Sequence, residues 1–148
     1  MNKRILLITG GTGGHVIPAE NLGNYFLSKG VSTSILVDKR GSKFINNFDG
    51  KINTINSSNL SGGYSSKING IFYLFLGFIQ SFFIIFSIKP NVVISFGSYA
   101  SFFPMITCLI LKPFTRVEIY VHEQNSVIGR TNKYFLYFVK KIFLNFDI

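Results

Sequence analysis

The stretch LLITGGTGGHVIPAENLGNYFLSKG, residues 6–30, decides the fold class. An apolar run ends at Thr9, four glycines follow within five positions, and a helix-like segment then continues to Lys29 and Gly30. Glycine permits unusual backbone conformations and lets a ligand approach main-chain N–H groups. The stretch therefore predicts a buried strand, a glycine-rich turn and a helix whose N-terminus can hold an anion such as a diphosphate. A tight turn without a ligand is the alternative interpretation.

Apolar, β-rich segments alternate with helix-like segments along the whole chain, which predicts an α/β fold with a doubly wound parallel, Rossmann-like sheet. We expect a single domain over residues 1–148, with a short helix within 38–50 and a polar, mobile loop at 56–67. Strands are predicted at residues 4–9, 31–37, 51–55, 91–96, 117–121 and 141–146, and helices at 17–29, 66–88, 99–111 and 128–140.

Two further polar clusters each follow a predicted strand. They are SFGSYASFFP, residues 95–104, and HEQN, residues 122–125. In a doubly wound sheet, ligands bind beyond the carboxyl ends of the strands. We therefore expect these clusters and the first glycine turn to line one cleft. An ordinary strand–helix turn is the alternative for the first cluster, and loop capping without a ligand is the alternative for the second.

The common nucleotide-binding motifs do not fit this chain. A G-x-G-x-x-G fingerprint starting at Gly11 would need glycine at Val16, and no P-loop G-K-[ST] is present. Asp38 could take the place of the acidic residue that contacts a ribose in dinucleotide-binding domains, but Lys39 and Arg40 beside it weaken that interpretation. A nucleotide-binding oxidoreductase domain is therefore disfavoured. Neither a His/Cys cluster nor an Asp-x-Asp pair has metal-ligand spacing, so neither a metal nor another cofactor is expected.

The composition indicates an anionic partner and apolar surface. Fifteen Lys/Arg against six Asp/Glu give a formal net charge of +9, and 47% of the residues are hydrophobic. Residues 71–88 carry no charge, and the sequence allows either a membrane span or a helix packed on the sheet with one face on lipid. We favour the second, because a span would leave the later strands across the bilayer. The lone Cys108 is expected to fill the core.

The motifs GGTGGHVIPA (10–19), FGSYASFFP (96–104) and HEQNSVIGRTNKY (122–134) together resemble the N-terminal half of the MurG family, over essentially the whole chain. That family transfers N-acetylglucosamine from UDP-N-acetylglucosamine to the undecaprenyl-diphosphate-linked muramoylpentapeptide in peptidoglycan synthesis. It has the two-domain GT-B architecture, with the lipid acceptor on the N-terminal domain and most of the UDP-sugar site on the C-terminal domain. The second loop usually reads Gly-Gly-Tyr in the family, whereas Ser98 stands in the middle here.

The resemblance implies roles for individual residues. His15 is the candidate catalytic base, with orientation of the glycine loop as its other interpretation and Glu123 as an alternative base. The resemblance also implies that four residues reach toward the donor, namely Thr12, Gly13, Gly14 and Asn125. The other candidate substrate-binding residues are Gly97, Tyr99, Ser101, His122, Glu123 and Gln124.

The resemblance also implies partners and a location. We expect UDP-N-acetylglucosamine, the undecaprenyl-diphosphate-linked acceptor and an anionic membrane surface as partners, and no nucleic acid. The location implied is peripheral, on the cytoplasmic face of the bacterial plasma membrane. The donor domain is expected to be absent, so the chain would be inactive unless a separate chain supplied it. The alternative is a non-catalytic membrane anchor or scaffold for such a donor-domain chain.

Overall fold

The computed structural model describes residues 3–58 and 64–146, and within these ranges six strands alternate with four α-helices. Two short 3₁₀ turns cover Gly41–Phe44 and Tyr99–Ser101, the first of them inside the segment where a short helix was predicted. The strands and helices are β1 Arg4–Ile8, α1 Gly13–Ser28, β2 Ser32–Asp38, β3 Lys51–Ile55, α2 Tyr64–Ile88, β4 Val92–Ser95, α3 Phe102–Thr115, β5 Glu118–Glu123, α4 Arg130–Phe135 and β6 Lys141–Leu144.

The six strands form one parallel sheet in the order β3-β2-β1-β4-β5-β6, which confirms the predicted doubly wound arrangement. The strand order changes direction between β1 and β4, and this switch point is where such sheets open a crevice for ligands. Ile8 at the end of β1 pairs with Leu36 on one side and Ser95 on the other. The turns that follow β1, β2 and β4 therefore lie at the same edge of the sheet.

The core lies on both faces of the central strands. Leu6 belongs to the apolar cluster on the side of α2 and α3, whereas the next residue, Leu7, belongs to the cluster on the side of α1. Alternation of this kind follows from the two-residue period of a strand. Cys108 on α3 is buried in the first cluster, and burial raises the pKa of its thiol to about 12, as expected for a core residue.

Several element boundaries near the carboxyl edge differ from the sequence predictions; α3, for example, begins at Phe102 instead of residue 99. Helix α1 begins at Gly13 instead of residue 17, because the Thr12 carbonyl already accepts the N–H of His15. Strand β5 continues through Glu123, because His122 and Glu123 pair with β6. The prediction that His122 is the first loop residue after the strand was therefore wrong.

Helix α4 is shorter than predicted and ends at Phe135 instead of residue 140. The N–H of Phe138 donates to the Phe135 carbonyl, and the N–H of Lys140 donates to the carbonyl of Ile119 in β5. The second bond draws the chain into the sheet, so the helix cannot continue. Sequence periodicity does not contain this long-range bond.

Helix α2 is the longest helix that the structure describes. Of the loop predicted at 56–67, residues 59–63 lie outside the described residues, whereas 64–67 are helical, so that part of the prediction was wrong. By length and composition alone, Ile68–Ile88 would suit a membrane span. Ile85 nevertheless packs into the core of the sheet, while Phe72 and Phe83 on this helix are exposed.

Candidate functional site

The first two glycines of the turn after β1 are required by the fold. A Cβ atom at Gly10 would lie 2.5 Å from Oδ1 of Asp38 and 2.7 Å from the Cβ of Ala100. Gly11 has a φ of +76°, and a Cβ there would lie 2.7 Å from Oγ of Ser98. Packing and backbone conformation therefore account for Gly10 and Gly11 without any ligand.

The next two glycines, Gly13 and Gly14, lie in the first turn of α1. A Cβ at Gly13 would lie 3.3 Å from the ring of Phe44, a contact that the neighbouring side chain must relieve. A Cβ at Gly14 would meet only Oγ1 of Thr12, at an ordinary 3.8 Å. Glycine inside a helix is about 1 kcal/mol less favourable than alanine. Neither packing nor helix stability therefore explains a glycine at position 14. Because this residue has no side chain, the N-terminus of α1 stays uncovered.

Asp38, at the end of β2, ties the first glycine turn to its surroundings. Its buried Oδ1 accepts the N–H groups of Gly11 and Gly41, each at 2.9 Å. Its Oδ2 accepts the hydroxyl of Tyr99 at 3.3 Å, which joins the first glycine turn to the second. Burial, with the charge of Asp38 second, raises the pKa of Tyr99 and keeps the phenol protonated. Asp38 thus orders the site instead of facing a ribose.

The second glycine turn contains strained backbone. Ser98 has a φ of 79° and a ψ of 151°, a combination otherwise adopted essentially by glycine alone. Its Oγ accepts the N–H of Ala100 at 3.3 Å. Gly97 also has a positive φ, and a Cβ there would lie 3.1 Å from Nδ2 of Asn132. Ser101 is buried, and its hydroxyl donates to the Gly97 carbonyl at 2.6 Å, so it orders the turn.

His15 meets the ends of two neighbouring strands. Its Nδ1 lies 2.9 Å from the carbonyl oxygen of Phe96, just beyond β4. The side-chain amide of Gln124, just beyond β5, contacts His15 Nδ1 and donates to the same carbonyl at 2.9 Å. A carbonyl can only accept a hydrogen bond, so in the tautomer that bonds to Phe96 the proton is on Nδ1 and Nε2 holds the lone pair.

The surroundings of His15 keep it neutral. Burial lowers the pKa of His15, and this effect exceeds the opposing influence of the Phe96 carbonyl and of the Glu123 charge. A neutral imidazole with its lone pair on Nε2 can accept a proton from a hydroxyl at neutral pH. The geometry therefore suits a general base.

Glu123 is fully buried at the end of β5. Its Oε1 accepts the backbone and side-chain N–H groups of Asn125, at 3.1 and 2.8 Å. Its Oε2 accepts from Gly129 N and Asn132 Nδ2, both at 2.8 Å. Burial alone would raise the pKa of Glu123, but these hydrogen bonds together lower it. The ionised carboxylate shapes the loop and holds Asn125 at the exposed edge.

His122, the other histidine, lies against the aromatic ring of Phe96, with ring centroids 4.9 Å apart. Its Nδ1 lies 3.5 Å from Oε1 of Gln124. The ring therefore supports Phe96 and the amide that contacts His15.

The structure brings the three predicted clusters to one edge of the sheet, as expected. Sequence reasoning missed Asp38 as the link between the two glycine turns, and it missed Asn132 beside Gly97. An acidic residue ending a strand, three residues before Gly41, was the available signal for Asp38. Among the residues that the structure describes, no group of three metal-binding side chains occurs.

Comparison with known proteins places the chain among glycosyltransferases. The family described as "Glycosyltransferase family 28 N-terminal domain" matches residues 5–144. The chain is 34% identical over 149 residues to "UDP-N-acetylglucosamine--N-acetylmuramyl-(pentapeptide) pyrophosphoryl-undecaprenol N-acetylglucosamine transferase" of Rickettsia canadensis (strain McKiel), covering 97% of this chain and 39% of that protein. It is 37% identical over 145 residues to the protein of that name from Rickettsia typhi (strain ATCC VR-144 / Wilmington), covering 98% of this chain and 36% of that protein.

A solved structure agrees with the fold. The crystal structure of Acinetobacter baumannii MurG matches with a TM-score of 0.82 and 23% sequence identity, over 98% of this chain and 42% of that chain. The chain thus spans about two fifths of the length of these similar proteins.

Proposed function

The chain belongs to the glycosyltransferase family 28 N-terminal domain family, and on that premise we propose that residues 1–148 form the acceptor-binding half of an inverting N-acetylglucosaminyltransferase. The proposed reaction moves N-acetylglucosamine from UDP-N-acetylglucosamine to an undecaprenyl-diphosphate-linked muramoylpentapeptide. Two relatives carry names that state this chemistry. The runner-up is a non-catalytic membrane anchor for a separate donor-domain chain.

The main support for this proposal is the uncovered N-terminus of α1. Gly14 has no packing reason to be glycine, and the first N–H groups of any α-helix lack partners within the helix. The helix N-terminus is also the positive end of the helix dipole. A diphosphate approaching this backbone meets donors and positive potential, and the exposed Lys39 and Arg40 follow β2 at the same edge. The resemblance alone would turn Thr12, Gly13 and Gly14 toward the donor, but we assign them to this anion contact, together with Gly97 and Tyr99 of the second turn.

His15 is assigned as the base. In the proposed step, the acceptor hydroxyl oxygen attacks the anomeric carbon of the donor sugar, and the bond from that carbon to the UDP oxygen breaks. The hydroxyl proton passes to Nε2 of His15, which holds the lone pair in the tautomer whose Nδ1–H donates to the Phe96 carbonyl. Gln124 and His122 hold this arrangement, while Glu123 positions Asn125 for a contact to the donor sugar.

Binding to a soluble acceptor fragment tests the anion contact. Farnesyl diphosphate should bind the 148-residue chain in isothermal titration calorimetry. Gly14→Ala should weaken that binding at least tenfold while raising the free energy of unfolding by about 0.5–1 kcal/mol, because alanine is the better helix former. Asn21→Ala, an exposed position on the same helix, is the matched control and should leave binding unchanged. Equal affinity of Gly14→Ala and the parent would refute the diphosphate site.

Turnover requires a donor domain. Correct alignment of two reactants supplies about 7–11 kcal/mol of a barrier, and half of a cleft cannot provide it. Residues 1–148 alone should therefore show no transfer of N-acetylglucosamine from UDP-N-acetylglucosamine to the lipid acceptor. With a donor domain supplied as a second chain, His15→Ala should abolish transfer but retain farnesyl diphosphate binding. Transfer by the isolated chain would contradict the proposal.

The exposed face of α2 is assigned to the cytoplasmic surface of the plasma membrane. Phe72, Phe75 and Phe83 on this face are more than half exposed, whereas Ile85 on the same helix is buried in the core. Phe72→Ser combined with Phe83→Ser should weaken sedimentation with phosphatidylglycerol vesicles without unfolding the chain. Ile85→Ser is the contrasting variant and should lower stability. Retention of the parent in membranes after alkaline carbonate treatment would instead indicate a spanning helix.

A further inference from the structure

Ser98 lies where the two glycine turns of the candidate site meet. A Cβ atom built on Gly11 would lie 2.7 Å from Oγ of Ser98 and 3.7 Å from its Cβ, so the serine side chain faces the first turn. Gly11 lies two residues before Gly13, which is the first residue of α1. Ser98 is also partly exposed. Its hydroxyl therefore borders the approach to the N-terminus of α1.

The hydroxyl proton of Ser98 has no acceptor among the residues that the structure describes. A serine hydroxyl offers one proton and two lone pairs. Oγ of Ser98 accepts the N–H of Ala100 at 3.3 Å, which occupies a lone pair and leaves the proton free. Ser101 differs, because its hydroxyl donates to the Gly97 carbonyl at 2.6 Å. Ser98 thus keeps a free donor at the junction of the two turns, whereas the donor of Ser101 is used within the fold.

The fold itself gives little reason for a side chain at Ser98. Its φ of 79° and ψ of 151° belong to a region that suits glycine and strains any other residue. The bond from Ala100, at 3.3 Å, is longer than the usual range of about 2.7–3.2 Å and compensates only weakly. The N–H and the hydroxyl of Ser101 both donate to the main-chain carbonyl of Ser98, which a glycine would keep. Stability alone therefore favours glycine here, and the hydroxyl needs another role.

We propose that Ser98 is a specificity-determining residue whose hydroxyl donates to one phosphate of the acceptor diphosphate, while the N-terminus of α1 binds the other. This role rests on the proposed function, because it adds a residue to the same site. A diphosphate holds two anionic groups side by side, so it can meet donors of both turns at once. A monophosphate held at α1 has no second anionic group for Ser98. The hydroxyl thus makes the site select a polyprenyl diphosphate over the corresponding monophosphate.

Isothermal titration calorimetry with farnesyl diphosphate and farnesyl phosphate tests this selection on the 148-residue chain. Ser98→Ala should weaken binding of the diphosphate about tenfold, because a hydrogen bond to a charged group is lost. Binding of the monophosphate should stay unchanged, so the preference of the parent for the diphosphate should fall by the same factor. Equal weakening of both ligands, or an unchanged preference in Ser98→Ala, would overturn the proposal.

Ser98→Gly separates the hydroxyl from the backbone. This variant removes the strain and should raise the urea midpoint of unfolding, whereas Ser98→Ala keeps the strain, loses the bond from Ala100 and should lower it. Both variants should nevertheless weaken farnesyl diphosphate binding by a similar factor. Ser32→Ala and Ser32→Gly, at an exposed strand position, are the matched controls and should leave binding unchanged. If Ser98→Gly binds the diphosphate as tightly as the parent, Ser98 acts only through the stability of its turn and the proposal is refuted.

The donor also carries a diphosphate, and a separate titration distinguishes the two sources. UDP-N-acetylglucosamine should bind the parent more weakly than farnesyl diphosphate does, and Ser98→Ala should not change its affinity. If Ser98→Ala weakens the UDP-sugar but not farnesyl diphosphate, the hydroxyl serves the donor and the proposal is wrong.

A failure of the Ser98 role can be told apart from a failure of the proposed function. If Gly14→Ala weakens both farnesyl ligands while Ser98→Ala and Ser98→Gly weaken neither, the anion contact at α1 stands and the role of Ser98 is refuted. If the parent binds neither ligand, the anion contact and the role of Ser98 are refuted together.

Discussion

The Nδ1 atom of His15 lies 2.9 Å from the carbonyl oxygen of Phe96, 81 residues away in the chain. The contact joins the first turn of α1 to the end of β4, across the switch point of the sheet. Because a carbonyl oxygen cannot donate, the tautomer that forms this hydrogen bond carries its ring proton on Nδ1. The nitrogen that remains unprotonated, Nε2, is the one that a base would use.

The tautomer of His15 can be measured directly. We expect nitrogen-15 NMR of the chain at pH 7.5 to show the proton of His15 on Nδ1, although the Nε2-protonated form is the common one in solution. Because burial lowers the pKa of His15, its midpoint should also fall below 6.5. His15→Gln identifies the resonance, and His122 is the internal reference. A proton on Nε2, or a midpoint above 6.5, would remove His15 as the base in this arrangement.

Replacement of Ser98 by glycine should stabilise the protein. A non-glycine residue in this backbone region costs about 1–3 kcal/mol, and the hydrogen bond from Ala100 to Ser98 Oγ recovers only part of it. Ser98→Gly should therefore raise the free energy of unfolding in urea by about 1 kcal/mol. Ser32→Gly, at an exposed strand position with ordinary φ, should lower it. A loss of stability in Ser98→Gly would show that the hydroxyl outweighs the strain.

Removal of the Asp38 charge should loosen both glycine turns. Asp38→Asn replaces a carboxylate that accepts from Gly11, Gly41 and Tyr99, and hydrogen bonds to a charged group contribute about 1.5–3 kcal/mol. We expect a loss of about 2 kcal/mol in urea unfolding, with faster hydrogen exchange at Gly11. Asp49→Asn, an exposed position, should change neither quantity. An unchanged exchange rate at Gly11 would contradict the anchoring role.

Glu123 should make stability depend on acid pH. Hydrogen bonds lower its folded pKa below the ordinary value of 4.5, so the native state binds fewer protons than the unfolded chain. The contribution of Glu123 is therefore complete above pH 4.5 and is lost as the pH falls through the folded pKa. Glu123→Gln should flatten this part of the pH profile and lower stability at pH 7, measured by urea unfolding at each pH. Asp49→Asn, at an exposed position, controls for general acid effects. A parent profile and a Glu123→Gln profile of equal slope below pH 4.5 would rule this out.

Local patterns in the sequence determined the layout of the protein. Apolar runs of strand length, helix-like segments between them and the glycine turn after Thr9 were sufficient to predict the parallel sheet and the edge that carries the candidate site. These features are local, because strand and helix periods and the conformational freedom of glycine depend on neighbouring residues. The sequence could not show whether a side chain would fit at Gly14. That depends on the packing around the first turn of α1, which exists only in the assembled fold.

Only the tertiary structure decided which residues act on one another. It showed that Asp38 contacts the first glycine turn and also Tyr99, which is 61 residues further along the chain. It showed that Glu123 is enclosed by Asn125, Gly129 and Asn132, and that α4 ends before Lys140 bonds to β5. It also placed Nδ1 of His15 against a carbonyl at the end of another strand. Each of these contacts joins parts of the chain that meet only after the sheet has formed, so burial, hydrogen-bond partners and pKa values follow from the assembled fold and not from any local pattern.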